Sequence, residues 1–293
     1  MTKSRIQAPK QTDIAEAASK AEVPGIRWKT VGTVLAAFAI LWLTSLMMFE
    51  QVGFWGVGAV GVLTLVAIGF GLYVWRMTRK QKEILNILKG ASGEEGREAA
   101  LQALAKGSGK DAMKALAHAQ LVAQQDPQAG LEILEAIDIA KAPALVQDEV
   151  RAQRVMMYLF LNRPRDARPF ADDIRTDKAP DKNSRAKYAA LVAETMARTG
   201  NAPRGKELLS DLEGVDAGSE LAPLVFRAQV YTYAATKNRG LARKAMDGLV
   251  SVDPNMVAPF MQKGVRPELK QIAQQALAAV GMAPKQQIKV RGR

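Results

Sequence analysis

Leu191-Val192-Ala193-Glu194-Thr195-Met196-Ala197-Arg198-Thr199-Gly200, followed by Gly205 and Leu208, is the stretch on which the fold turns. It reads as the end of one helix, a glycine break and the start of a second helix. Gly205 belongs to a series of small residues, Gly130, Ala167, Gly205 and Ala242, spaced 37, 38 and 37 apart. Three residues after each stand Ile133, Phe170, Leu208 and Ala245, and seven after stand Ile137, Ile174, Leu212 and Leu249. Nine residues before each stand Leu121, Tyr158, Met196 and Tyr233. One ungapped register thus aligns four columns. A small residue lets the second helix of a pair approach the first, and the two following positions fall on one face. A single helix pair cannot cover that face, so neighbouring pairs must stack. No strand alternation appears, and the expected fold class is all-α.

The unit resembles a tetratricopeptide repeat (TPR). Tyr158 and Tyr233 supply the aromatic that the family places late in the first helix. Gly200 is the one match to the glycine between helices. Pro254 matches the closing proline, and Pro143 and Pro180 do so approximately. The spacing exceeds the family's usual repeat of about 34 residues, and the tryptophan near the unit's start is absent. The resemblance covers roughly Asp111 to Pro254. It implies an α-solenoid of about four helix pairs, with Glu98 to Lys106 capping the start and Pro267 to Val280 shielding the end.

Ahead of the repeats lie two uncharged runs, Val31–Phe49 and Val52–Trp75, of 19 and 24 residues. At ~1.5 Å per residue even the shorter approaches the thickness of a bilayer's hydrocarbon core. Only Glu50 and Gln51 separate them, which predicts a transmembrane helical hairpin. Lys20, Arg27 and Lys29 precede the first run; Arg76, Arg79, Lys80 and Lys82 follow the second. The turn between carries no basic residue, so both termini are expected in the cytoplasm, at a membrane of bacterial type. Folded about Gln51, Gly32 and Ala36 come opposite Ala67 and Gly71, which predicts helix–helix packing there.

The net charge of +12 is unevenly placed. It is +3 over 1–30, −1 over 31–75, +4 over 76–90, +2 over 91–282 and +4 over 283–293. Basic flanks beside apolar runs suit membrane topology and contact with anionic lipid. Without interleaved aromatics the basic tail gives no sign of base recognition, so nucleic acid is not an expected partner. The domain reading is a basic cytoplasmic tail over 1–30, a two-span hairpin over 31–75, and a basic helix with Gly-rich linker over 76–97. A repeat domain over 98–282 and a basic disordered tail over 283–293 complete it.

Catalytic vocabulary is sparse. The chain has no cysteine and one histidine, His118. Thiolate chemistry and any site needing two imidazoles are excluded. Lys106-Gly107-Ser108-Gly109-Lys110 lacks the leading glycine of a phosphate loop, where Leu104 stands, and reads as an inter-helix turn. Asp172 and Asp173 point about 100° apart on a helix and do not share a site. No enzyme activity, catalytic residue, metal or cofactor is expected. The resemblance implies protein–protein interaction through a groove lined by first helices, with Glu149, Met156, Lys187, Glu194, Arg198, Arg227 and Tyr231 as groove positions. The expected function is a membrane-anchored scaffold or adaptor that binds a partner protein or peptide. The alternative is a structural or accessory subunit of a membrane complex, or a homo-oligomer, in contact through the glycine-rich spans.

Overall fold

The structure, a computed structural model, describes residues 28–47, 54–91, 93–109, 111–210, 212, 218–262 and 264–282. Among these there are twelve α-helices, three 3-10 helices and no strand. The fold is all-α, as the periodicity requires. The N-terminal tail before Trp28, the turn around Glu50 and Gln51, and the basic tail from Ala283 lie outside the described residues. Two compact units divide between Leu104 and Ala105, whereas the sequence reading opens the repeat domain at 98.

The first unit contains α1 (Trp28–Met47) and α2 (Phe54–Lys89). Phe38, Trp42 and Ser45 recur at helical spacing as half-buried positions of α1. Trp42 Nε1 donates to Thr64 Oγ1 at 3.1 Å across the pair, and Thr64 Oγ1 donates onward to the Val60 carbonyl at 2.7 Å. The small residues expected at the contact lie elsewhere. A Cβ built on Gly32 or Gly71 would meet nothing within 4 Å, Ala36 is exposed and Ala67 is half-buried. The Trp42 indole is too large for the backbone approach that small pairs allow. Among the described residues no helix is long and apolar enough to cross a membrane.

Helix α2 runs unbroken for 36 residues, roughly 54 Å. It absorbs the basic helix that the sequence places in the separate segment 76–97, because no glycine or proline interrupts it between Gly71 and Gly90. Helix α3 (Gly93–Ser108) likewise absorbs half of the expected Gly-rich hinge. Gly93 takes a left-handed turn at φ 81°, and Glu94 and Glu95 then sit in the first turn. Carboxylates are favourable at that end of the helix dipole.

The second unit is built of helix pairs. They are α4 (Ala112–Ala123) with α5 (Pro127–Glu135), α6 (Ala144–Phe160) with α7 (Pro164–Asp172), and α8 (Lys182–Arg198) with α9 (Ala202–Ser210). The last pair is α10 (Ala222–Ala235) with α11 (Arg239–Val252), followed by α12 (Pro267–Ala279). The sequence columns map onto this arrangement without a slip. Gly130, Ala167, Gly205 and Ala242 are each the fourth residue of a second helix, and all are buried. Leu121, Tyr158, Met196 and Tyr233 are each third from the end of a first helix, and all are buried. A Cβ on Gly205 would come within 2.8 Å of the Ala193 carbonyl oxygen, and one on Gly130 within 2.5 Å of Ala123 Cβ.

The turns inside the last three pairs share one device. Arg163 N–H donates to the Tyr158 carbonyl at 2.7 Å, and Asn201 N–H to Met196 and Asn238 N–H to Tyr233 at 2.8 Å. These are the long-range bonds of a Schellman helix end, which needs a left-handed residue just before the donor. Gly200 meets that need, but so do Asn162 and Lys237, each at φ 59°. The glycine that the family pattern lacks in two repeats is thus replaced in conformation by other residues. Two of the second helices start on side-chain caps: in α5 Asp126 accepts from Gln128 and Ala129 N–H, and in α11 Asn238 accepts from Leu241 N–H. Asp111 and Asp181 cap first helices in the same way.

The core runs from pair to pair. Leu134 and Ile137 pack with Val146 and Val150; Leu131 with Val155, Tyr158 and Leu191; Ala193 and Leu209 with Val225. At the far end Met246 and Leu249 pack with Phe260 of the 3-10 helix Pro254–Met261 and with Leu269 and Ile272 of α12. That last layer is the shield expected at the terminal repeat.

Candidate interaction site

The seven groove positions lie on the three first helices α6, α8 and α10, where the polar ones fall into two separate groups of contacts. Glu149 on α6 accepts from Lys187 Nζ at 2.5 Å, from Tyr188 Oη at 3.2 Å and from Gln153 Nε2 at 2.9 Å. Met156, half-buried, packs against the hydrophobic layer between α6 and α8. Two turns further along α8 from Lys187, Glu194 is wholly buried and takes two guanidiniums. Arg198 Nη1 donates to its Oε1 at 2.9 Å and Arg227 Nε to its Oε2 at 2.8 Å.

Arg198 is the hub of the cluster. Its Nη1 also reaches the Leu159 carbonyl at 3.2 Å, and its Nη2 bonds Asn162 Oδ1 in the left-handed turn. Its guanidinium lies 4.6 Å from the centroid of the Tyr231 ring, a cation–π arrangement. The same ring stacks on Phe260 at 4.9 Å. Burial raises the Tyr231 hydroxyl above its usual range, partly opposed by the Arg198 charge. One carboxylate between two guanidiniums leaves the cluster with a formal excess of one positive charge. Arg227 Nη2 is buried without a hydrogen-bond partner among the described residues.

The cations that sequence reasoning offers to an acidic partner are therefore largely engaged inside the protein, Lys187 by Glu149 and the two arginines by the single Glu194 carboxylate. What stands open beside them is a pocket of about 170 Å³. Its lining includes Ala197, Arg198, Tyr231, Ala235, Val265 and Arg266. Arg266 is exposed and, among the described residues, without an ion pair. Sequence columns missed this rim because it is built from the turn at Asn162 and the loop after Phe260, where no helical period operates. The left-handed Gly264 at φ 94° is the signal that marks the loop.

A second polar knot holds the preceding layer. Asp148 accepts from Arg151 and Arg175 at 2.8 and 2.9 Å. Arg154 donates to the Leu134 and Ile137 carbonyls at 2.7 and 2.6 Å, closing the C-terminal end of α5. His118 on α4 is half-buried, its Nδ1 has no hydrogen-bond partner among the described residues, and desolvation lowers its pKa. Among the described residues no group of three or more His, Cys, Asp and Glu is placed to hold a metal ion. No family model matches the chain, and no curated protein or solved structure matches it.

Proposed function

We propose that the chain is a membrane-anchored interaction scaffold whose repeat unit grips a partner protein through the pocket beside Arg198 and Tyr231. The observation that carries this reading is the size and lining of that pocket. Small-molecule sites run to ~300–1,000 Å³, and 170 Å³ is room for one side chain. Ala197, Ala235 and Val265 offer an apolar contact, while the exposed Arg266 supplies donors at the edge. An apolar anchor flanked by a polar or acidic group is the partner chemistry that suits it.

The anchor rests on the uncharged runs and on what α1 and α2 leave uncovered. Leu43, Met47, Trp55, Leu65 and Leu72 are 55–90% exposed, Met47 at 86% and Trp55 at 88%. Apolar exposure on that scale marks a membrane or a protein interface. With the basic flanks, it supports two spans with both termini in the cytoplasm. The same exposed faces favour a second reading, an accessory subunit that meets neighbouring spans of a membrane complex.

Affinity purification of the full chain from detergent-solubilised membranes tests the proposal against Ala235→Trp, which fills the pocket. Loss of the partner with an unchanged melting temperature supports pocket recognition. Recovery of the same partner by the filled variant excludes it.

A further inference from the structure

The near-neutrality of the repeat region hides a strong polarity. Residues 91–235 carry nineteen basic and twenty-one acidic side chains, whereas 236–282 carry seven basic and three acidic. Among the described residues, α11 and the turn before it carry Lys237, Arg239, Arg243 and Lys244 against the exposed Asp247, and α12 carries Lys270 against Glu268. The two helices form one surface: Arg239 pairs with Glu268 at 2.5 Å, and Arg243 Nη2 bonds the Gln275 side chain. Lys237 and Lys244 are exposed and have no ion pair among the described residues, and Arg243 meets only a neutral amide.

Helix α11 also breaks a local rule. Its first two turns carry Arg239, Arg243 and Lys244 and no acid, at the end of the helix dipole that favours carboxylates. Asn238 caps this end and Glu268 pairs with Arg239, yet Arg243 and Lys244 have no acidic partner among the described residues, and a local rule broken with only partial compensation is characteristic of a working surface. Leu241, between the cations, is 39% exposed, and Val280 and Met282 at the end of α12 are 48% and 58% exposed. No aromatic side chain is exposed over 236–262 or 264–282.

We infer that the α11–α12 surface, centred on Lys237, Arg243 and Lys244, docks on anionic phospholipid. Cations with apolar side chains among them suit a headgroup layer, where the charges meet phosphate and Leu241 enters the interface. The lack of exposed aromatics gives nucleic-acid bases no stacking platform. The inference rests on the anchored reading above, which puts a leaflet within reach of the chain.

The chain has no cysteine, so a single label on Ser251→Cys, exposed on α11, reports on this surface alone. The full chain is reconstituted in vesicles of phosphatidylcholine, with or without phosphatidylglycerol, and the label is probed with a water-soluble quencher. Shielding in the anionic vesicles only, reversed by salt, is the expected result. A label on Glu132→Cys of α5 stays open in both. Arg243→Gln with Lys244→Gln reduces the shielded-to-open ratio about fivefold for each cation removed. Equal shielding in both lipids, or no effect of the two substitutions, overturns the inference. Shielding by added RNA where phosphatidylglycerol gives none overturns it in favour of nucleic acid. Resistance of the chain to alkaline extraction scores the anchor separately, and shielding by added anionic vesicles decides the surface even if extraction succeeds.

Discussion

Arg227 reaches 33 residues back along the chain to donate Nε–H to Glu194 Oε2 at 2.8 Å, and Glu194 has no solvent exposure at all. A carboxylate so placed holds two first helices together only while both guanidiniums remain. Glu194→Gln keeps the shape and removes the charge, which leaves two arginines facing each other in a dry site. We expect a loss of about 3–5 kcal/mol, or roughly 10 °C in melting temperature for a unit of this size. Lys187→Met, at a half-exposed pair, should cost no more than about 1 kcal/mol. Thermal melts of the two variants check the contrast.

The close approach at Gly205 gives a packing prediction. A leucine there collides with the Ala193 carbonyl, since even a Cβ comes within 2.8 Å, and should cost about 1–3 kcal/mol. Ala186→Leu, on the half-buried start of α8 and outside the aligned columns, should cost less. Equal effects in denaturant titrations would mean that the register is misread.

The left-handed turns give a prediction of opposite sign. Lys237 sits at φ 59° with an exposed side chain, a conformation that is unfavourable for a residue with a Cβ. Lys237→Gly should raise stability by about 0.5–1 kcal/mol. Asn162→Gly should gain less, because Asn162 Oδ1 also accepts from Arg198.

Alkaline titration tests the polar packing of α6. Burial, reinforced by the hydrogen bond to Glu135, pushes the Tyr158 hydroxyl from 10.0 up to about 12. Below pH 10 both folded and unfolded chains keep the proton, and its contribution is fully present. Between pH 10 and about 12 the unfolded chain gives up the proton first, so stability falls as pH rises. Tyr188 is pushed the same way by burial and the Glu149 charge. Tyr158→Phe should flatten part of that decline in the dependence of melting temperature on pH.

These particulars show what a sequence carries and what it does not. The columns through Gly130, Ala167, Gly205 and Ala242 were legible because close helix contact tolerates only small side chains, and that demand recurs at each layer. Asn162 and Lys237 hid their turns, since a left-handed conformation leaves a firm mark only when glycine takes it. The groove residues were legible as a set, because first-helix positions repeat with the same period. Their pairing was not: nothing in the spacing says that Arg198 and Arg227 spend their charge on Glu194. The pocket was invisible because its rim joins an irregular loop at Gly264 and Val265 to helices far apart in the chain.

The measurement that tests the account most directly is site-specific photocrosslinking of the full chain in its native membrane. One photoreactive residue replaces Ala235 at the pocket, and in a second variant one replaces Leu43 on the exposed face of α1. The account predicts a discrete protein adduct from position 235 and lipid adducts from position 43. Protein adducts from position 43 with none from position 235 would contradict it, and would make the N-terminal helices the working surface of this chain.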